Sequence, residues 1–212
     1  MSDLELIDVE ALSRAKRRDQ PYPHILVPQL IKHGYKDDLT DGFPALPTRG
    51  SFPTGTVKGS DRFEQLAAEL QSDTFRDAVA AAFGLDLSER FPMLTVRGFT
   101  GAKDGRIHTD TKAKLVTVLV YLNDEWPSDD GRLRLLNGPD DLDDHFAEVV
   151  PSFGSCVMFL VTENCWHGHK PFVGERRAMQ LNYVTDAGAL RSHMWRHKVT
   201  ATAKSILGSI RG

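Results

Sequence analysis

From Met93 to Val184 the chain is a succession of short apolar segments separated by turn residues, and this pattern limits the fold more than any other feature. Residues 93–99, 114–122, 132–136, 148–150, 156–161 and 176–184 read as strands. Between them lie Gly101, Asp104-Gly105, Pro127 to Gly131, Gly138-Pro139, Pro151 with Gly154, and Gly174. Short strands at regular spacing with Gly, Pro and Asp turns indicate a sandwich or barrel. Two helical patterns precede them. In the first, Phe63, Leu66, Ala67 and Leu70 recur at helical spacing after a Ser60 or Asp61 cap; in the second, Phe75, Val79, Ala82 and Phe83 lead to Gly84. Each has one apolar face and so needs a sheet to cover. The expected fold class is α+β, mainly β: a double-stranded β-helix (jelly roll, cupin-like) backed by N-terminal helices.

Upstream of the helices, residues 4–17 suggest a short helix and Tyr22 to Pro28 a short strand. Residues 36–59, rich in Gly, Pro, Asp and Thr, suggest a long loop of the kind that often serves as a lid. Residues 187–212 read as helical. The whole is expected to be one domain over 1–212, with supporting elements in 1–92, a jelly-roll core in 93–184 and a helical segment in 185–212. No repeat or low-complexity segment interrupts it.

A net charge of −3 gives no basic field for nucleic acid or an anionic membrane, and no apolar run approaches about 18 residues. Nucleic-acid and membrane partners are therefore not expected. The first twenty residues lack a signal-peptide apolar run, and a cytoplasmic location is the expectation. Cys156 and Cys165 lie in no CxxC or zinc-ligand spacing and read as core thiols. No Gly-x-Ser-x-Gly elbow supports a hydrolase.

The chemistry concentrates in two strings. In Gly105-Arg-Ile-His108-Thr-Asp110, alternation along a strand lets His108 and Asp110 converge on one point. Downstream, Asn164-Cys-Trp-His167-Gly-His169-Lys-Pro171 offers a second imidazole, from His167 or His169. Two imidazoles and one carboxylate on one side of a metal leave three adjacent positions open, the geometry of non-heme Fe(II) oxygenases, whereas structural zinc prefers four closed ligands. Then comes Gly174-Glu-Arg176-Arg177-Ala-Met-Gln-Leu-Asn-Tyr-Val184. An inward-facing guanidinium on this strand needs a bound anion, and its fork pairs bidentately with a carboxylate. If Arg176 faces inward, Ala178, Gln180 and Asn182 share its face; if Arg177 does, Met179 and Leu181 crowd the pocket.

Taken in order, His108-x-Asp110, Tyr121-Leu-Asn123, Gly131-Arg-Leu-Arg-Leu, Val149-Val-Pro151-x-x-Gly154, His167-Gly and Gly174-x-Arg176 resemble the prolyl 4-hydroxylase-like branch of the 2-oxoglutarate/Fe(II) dioxygenases. The resemblance spans about residues 93–184. It implies an enzyme using Fe(II), 2-oxoglutarate and O2, with ascorbate as an optional reductant. It also implies iron ligands His108, Asp110 and His167, the last favoured over His169 by the following Gly and by Pro171. Arg176, favoured over Arg177 by Gly-x-Arg, would hold the distal carboxylate of 2-oxoglutarate, with Tyr121 beside it. Related halogenases replace the carboxylate ligand with a small residue; Asp110 is present, so hydroxylation of a peptidyl residue, an amino acid or a small metabolite is implied. The other reading is a jelly-roll sensor or binding protein that holds metal and 2-oxoglutarate without turnover. Residues 36–59 and the turn from Phe99 to Ile107 are expected to frame the entrance, and substrate identity and oligomeric state stay open.

Overall fold

A computed structural model describes residues 4–185. The helical expectation for residues 187–212 lies outside them. Among the described residues ten strands form two antiparallel sheets. The larger has seven strands in the order β1 (Arg17–Arg18), β2 (His24–Val27), β8 (Cys156–Leu160), β5 (Lys114–Tyr121), β10 (Gly174–Val184), β4 (Phe91–Thr100), β3 (Phe52–Pro53). The smaller has the order β7 (His145–Val149), β6 (Leu133–Leu136), β9 (His167–Gly168). Strands distant in sequence are neighbours in space, as in a jelly roll.

Period-two alternation assigns the faces of the large sheet. Val116, Val118 and Val120 of β5, Met158 of β8, and Met179, Leu181 and Tyr183 of β10 share one buried cluster with helical side chains. These come from α3 (Asp61–Leu70) and α4 (Asp73–Phe83), and include Phe63, Leu66, Phe75 and Val79. The alternate residues Leu119, Tyr121, Val157, Phe159 and Ala178 meet Leu133, Leu135 and Val149 of the small sheet in a second cluster. The sandwich interior is that second cluster.

Local chemistry explains the helices. The Ser60 and Ser72 hydroxyls accept from the Phe63 and Phe75 amides and so cap α3 and α4, while Gly84 ends α4 at φ 65°, where a Cβ would be strained. Glu69 turns its carboxylate to the amides of Glu5, Leu6 and Ile7, fastening the N-terminal segment to α3.

Several boundaries differ from expectation. The first helix, α1, is only Val9–Arg14, because the Asp8 side chain accepts from Ala11 and starts it late. Residues 36–59 are not one loop: α2 (Lys36–Asp41), β3 and a 3-10 turn at Thr54–Thr56 fall inside it. Two-residue strands such as β1, β3 and β9 are too short for a periodic signal and went unpredicted. Cys156 and Cys165 are buried free thiols. Among the described residues no helix is long and apolar enough to cross a membrane.

Candidate active site

Only His108 of the His-x-Asp string has a strand partner, through an isolated bridge, so the pair does not ride a continuous strand as expected. His108 and His167 exchange both backbone hydrogen bonds at 3.0 Å, which makes them a directly opposed antiparallel pair with side chains on one face. Their rings lie 4.2 Å apart between centroids. Asp110 follows in irregular chain just before a turn closed by the Lys114 amide on the Thr111 carbonyl. One donor atom from each of His108, Asp110 and His167 lies within 4.8 Å of the others. His169 lines the same pocket and is not part of that cluster.

The donors are prepared in complementary ways. Each cluster imidazole has Nδ1 against a backbone carbonyl, of Arg106 at 2.9 Å and of Cys165 at 2.8 Å. A carbonyl only accepts, so Nδ1 carries the proton and the Nε2 lone pair is left for a metal. Burial, then the neighbouring His108, pushes His167 down to about 4, against the pull of Asp110, so it is neutral at physiological pH. Burial alone would raise the Asp110 carboxyl, but the Lys114 ammonium, His167 and the Lys114 and Thr117 hydrogen bonds hold it below its ordinary value. Lys114 Nζ reaches Asp110 Oδ1 at 2.7 Å, Thr117 Oγ1 donates to Oδ2, and Asn182 Nδ2 donates to Thr117 Oγ1 at 2.8 Å.

Across the pocket, Arg176 is 6% exposed. Its Nε donates to the Gly131 carbonyl at 2.8 Å and one terminal nitrogen donates to the Tyr121 hydroxyl at 3.1 Å. Among the described residues it has no carboxylate within ion-pair distance. Arg177 lies on the other face of β10, donating to the Thr40 carbonyl and stacking over Phe43. Burial raises the Tyr121 phenol against the pull of Arg176, so it stays protonated and can donate to an anion that Arg176 holds.

Residues Arg97, Gly105, His108, Leu119, Tyr121, Leu133, His167, His169, Arg176 and Gln180 share this pocket. Of the two segments expected to frame it, the turn from Phe99 to Ile107 supplies Gly105, and residues 36–59 supply none of the lining; Phe43 and Leu46 instead pack toward Gly98. The supports Lys114, Thr117 and Asn182 were not foreseen as a unit. The signal for Thr117 was there: a polar residue at an inward position of an otherwise Val/Leu strand. A set of two imidazoles with Nδ1 turned to backbone carbonyls and one carboxylate on one side fits an iron with open positions. The unpaired buried guanidinium opposite fits a dicarboxylate cosubstrate.

Residues 97–184 match the model of the 2OG-Fe(II) oxygenase superfamily. No curated protein matches the chain. Among solved structures, a prolyl-4-hydroxylase from Pseudomonas putida is similar with a TM-score of 0.54 at 19% identity, covering 84% of this chain and 92% of that one. A prolyl 4-hydroxylase from Phytophthora capsici gives 0.56 at 16% identity, over 87% of this chain and 66% of that one. AviO1 from Streptomyces viridochromogenes Tue57 gives 0.50 at 15%, over 88% and 98%. At these identities the structures share a fold with this chain. Residues 97–184 are thus similar in sequence to the 2OG-Fe(II) oxygenase superfamily, and the fold that carries them is shared with the prolyl 4-hydroxylases.

Proposed function

We propose that this chain is a 2OG-Fe(II) oxygenase that hydroxylates an unactivated C–H bond of an amino acid, a peptidyl residue or a small metabolite, with His108, Asp110 and His167 holding Fe(II) and Arg176 holding 2-oxoglutarate. The observation that carries the reading is the buried Arg176 guanidinium, without a carboxylate partner among the described residues, in the same pocket as the three clustered donors. When bound, iron and 2-oxoglutarate together supply the oxidising power for O2 activation, with succinate and CO2 released.

The protein's own residues bind, orient and insulate. Arg176 and the Tyr121 hydroxyl grip the distal carboxylate, and the Gly131 carbonyl fixes the guanidinium's direction. Thr117 and Lys114 hold the Asp110 carboxylate ionised and in one rotamer, while the Arg106 and Cys165 carbonyls hold the imidazoles in the metal-binding tautomer. Leu119 and Leu133 line the pocket with apolar surface and limit water near the reacting atoms. Binding without turnover is not favoured, because no part of this machinery is missing.

The test is anaerobic titration of Fe(II)-loaded protein with 2-oxoglutarate, following the weak visible charge-transfer band of the chelate. The band is expected in the unmodified protein and absent in His167→Ala. Arg176→Ala should raise the 2-oxoglutarate needed by at least about tenfold, since truncating one side of a buried charge pair costs roughly 2–5 kcal/mol, whereas Arg177→Ala should leave it nearly unchanged. No band with folded, metal-bound protein, or the opposite ranking of the two arginines, defeats the assignment.

A further inference from the structure

A second guanidinium, that of Arg97, shares the pocket. Arg97 lies on β4 directly opposite Ala178 of β10, and residues opposed across an antiparallel pair face the same side. Its side chain therefore turns to the pocket that Arg176, two positions before Ala178, also enters. Water reaches Arg97 through the open mouth. Protein nevertheless encloses its guanidinium closely enough that lost hydration, and then the Arg176 charge, push its pKa down. The negative groups acting on it are Asp104 and Asp110. Asp104 accepts the Gly101 amide at 2.8 Å, and Asp110 is taken by Lys114 and Thr117. Among the described residues the Arg97 side chain makes no hydrogen bond and has no carboxylate within ion-pair distance.

Charge matching shows what is missing. On the reading above, the two positive charges of iron and the one of Arg176 are balanced by Asp110 and the two carboxylates of 2-oxoglutarate. Lys114 adds a further positive charge beside Asp110, so Asp110 has none to spare. Arg97, open to solvent and attracted by Asp104 only from beyond ion-pair distance, is left without a carboxylate of its own in a pocket whose remaining occupant is the substrate. Two like charges in one cleft repel, and they are tolerated where each meets its own anion. The side chain of Phe99, two residues on and so on the same face of β4, is exposed beyond Arg97 and offers an apolar contact outside it.

We propose that Arg97 is the substrate-recognition residue, pairing with an oxyanion, carboxylate or phosphate, carried by the substrate close to the carbon that is oxidised. The proposal rests on the cosubstrate reading, and one experiment separates the two. Protein loaded with Mn(II), which is paramagnetic and does not turn over, is given one equivalent of 2-oxoglutarate. It is then titrated with propionate, with methyl phosphate and with neutral propionamide, following broadening of each probe's NMR signals by the metal.

In the unmodified protein, 2-oxoglutarate and at least one oxyanion probe should broaden, with propionamide at least about tenfold weaker. Which oxyanion responds assigns the group as carboxylate or phosphate. Arg97→Gln should weaken the oxyanion probe at least about tenfold, Arg97→Lys should keep part of the response, and 2-oxoglutarate should broaden equally in all three proteins. Equal response to propionate and propionamide, or an unchanged oxyanion response in Arg97→Gln, overturns the proposal. Loss of the 2-oxoglutarate response in Arg97→Gln also overturns it, since Arg97 would then belong to the cosubstrate. Failure of 2-oxoglutarate to broaden in the unmodified protein sinks the cosubstrate reading itself and the charge argument with it.

Discussion

On the proposed reading, Asp110 shows how much of a metal site lies outside its ligands. Lys114 occupies one of its oxygens and Thr117 the other, and Asn182 in turn fixes the Thr117 hydroxyl. Thr117 is fully buried, so replacing it with the near-isosteric Val removes a hydrogen bond with little change in packing volume. Thr117→Val should stay folded yet bind Mn(II) about 10- to 100-fold more weakly, as losses of such supporting contacts do; an unchanged titration would remove Thr117 from the site's support. The imidazoles give a pH signature. Burial holds His167 and His169 down to about 4, with His108 and Arg176 respectively as the next causes. In the unfolded chain they return to about 6.5. Below that value the unfolded state binds more protons, so stability falls as pH falls toward 4. Metal-free protein should lose roughly 2 kcal/mol of unfolding free energy for each of the two rings between pH 7 and pH 5, read from urea titrations. A flat profile would mean that the fold does not hold these rings neutral.

At the scale of elements, β10 carries the site on one face and core on the other, and one residue of register separates the two arginine assignments. The bulky Met179, Leu181 and Tyr183 pack in the cluster shared with the helices, which leaves Ala178, Gln180 and Asn182 with Arg176 on the pocket side. The turn before β6 completes the arrangement. Gly131 sits at φ 76° with its carbonyl on Arg176, and a Cβ there would come within 2.7 Å of Trp126 and 2.9 Å of Phe172. Gly131→Ala should therefore cost roughly 1–2 kcal/mol in backbone strain and, by displacing that carbonyl, raise the 2-oxoglutarate requirement severalfold. A melting curve and the charge-transfer titration read the two effects; lowered stability with an unchanged titration would show that the carbonyl does not direct Arg176.

For the molecule as a whole, the large sheet separates two clusters with different duties. Phe75 is buried on the helix side, and Leu135, opposite His167 in the small sheet, is buried in the sandwich interior. Truncation to Ala should destabilise at either place, by about 3–5 kcal/mol for Phe75 and about 2–5 kcal/mol for Leu135. Only Leu135→Ala should also weaken metal binding in protein that remains folded, because the cavity opens beside the strand bearing His167. Calorimetric melts with Mn(II) titrations well below the transition distinguish the two. Equal metal affinity in both variants would mean that the site is insulated from sandwich packing.

The sequence by itself determined the jelly-roll class, because alternating apolar residues between Gly, Pro and Asp turns leave few other ways to bury the strands. It also marked out His108 and Asp110 with His167 or His169, and the family resemblance chose His167. It did not determine how they meet. His108 and Asp110 are not on a continuous strand, and the contact that brings His108 to His167 is a two-residue pairing too short to carry a periodic signal. Tertiary structure alone decided that Asp110 is held by Lys114, Thr117 and Asn182, and that Arg176 and Arg97 share one cleft without a carboxylate partner for either among the described residues. A local pattern reports which face a residue occupies. Whether a charge there has a partner depends on strands brought together from distant parts of the chain.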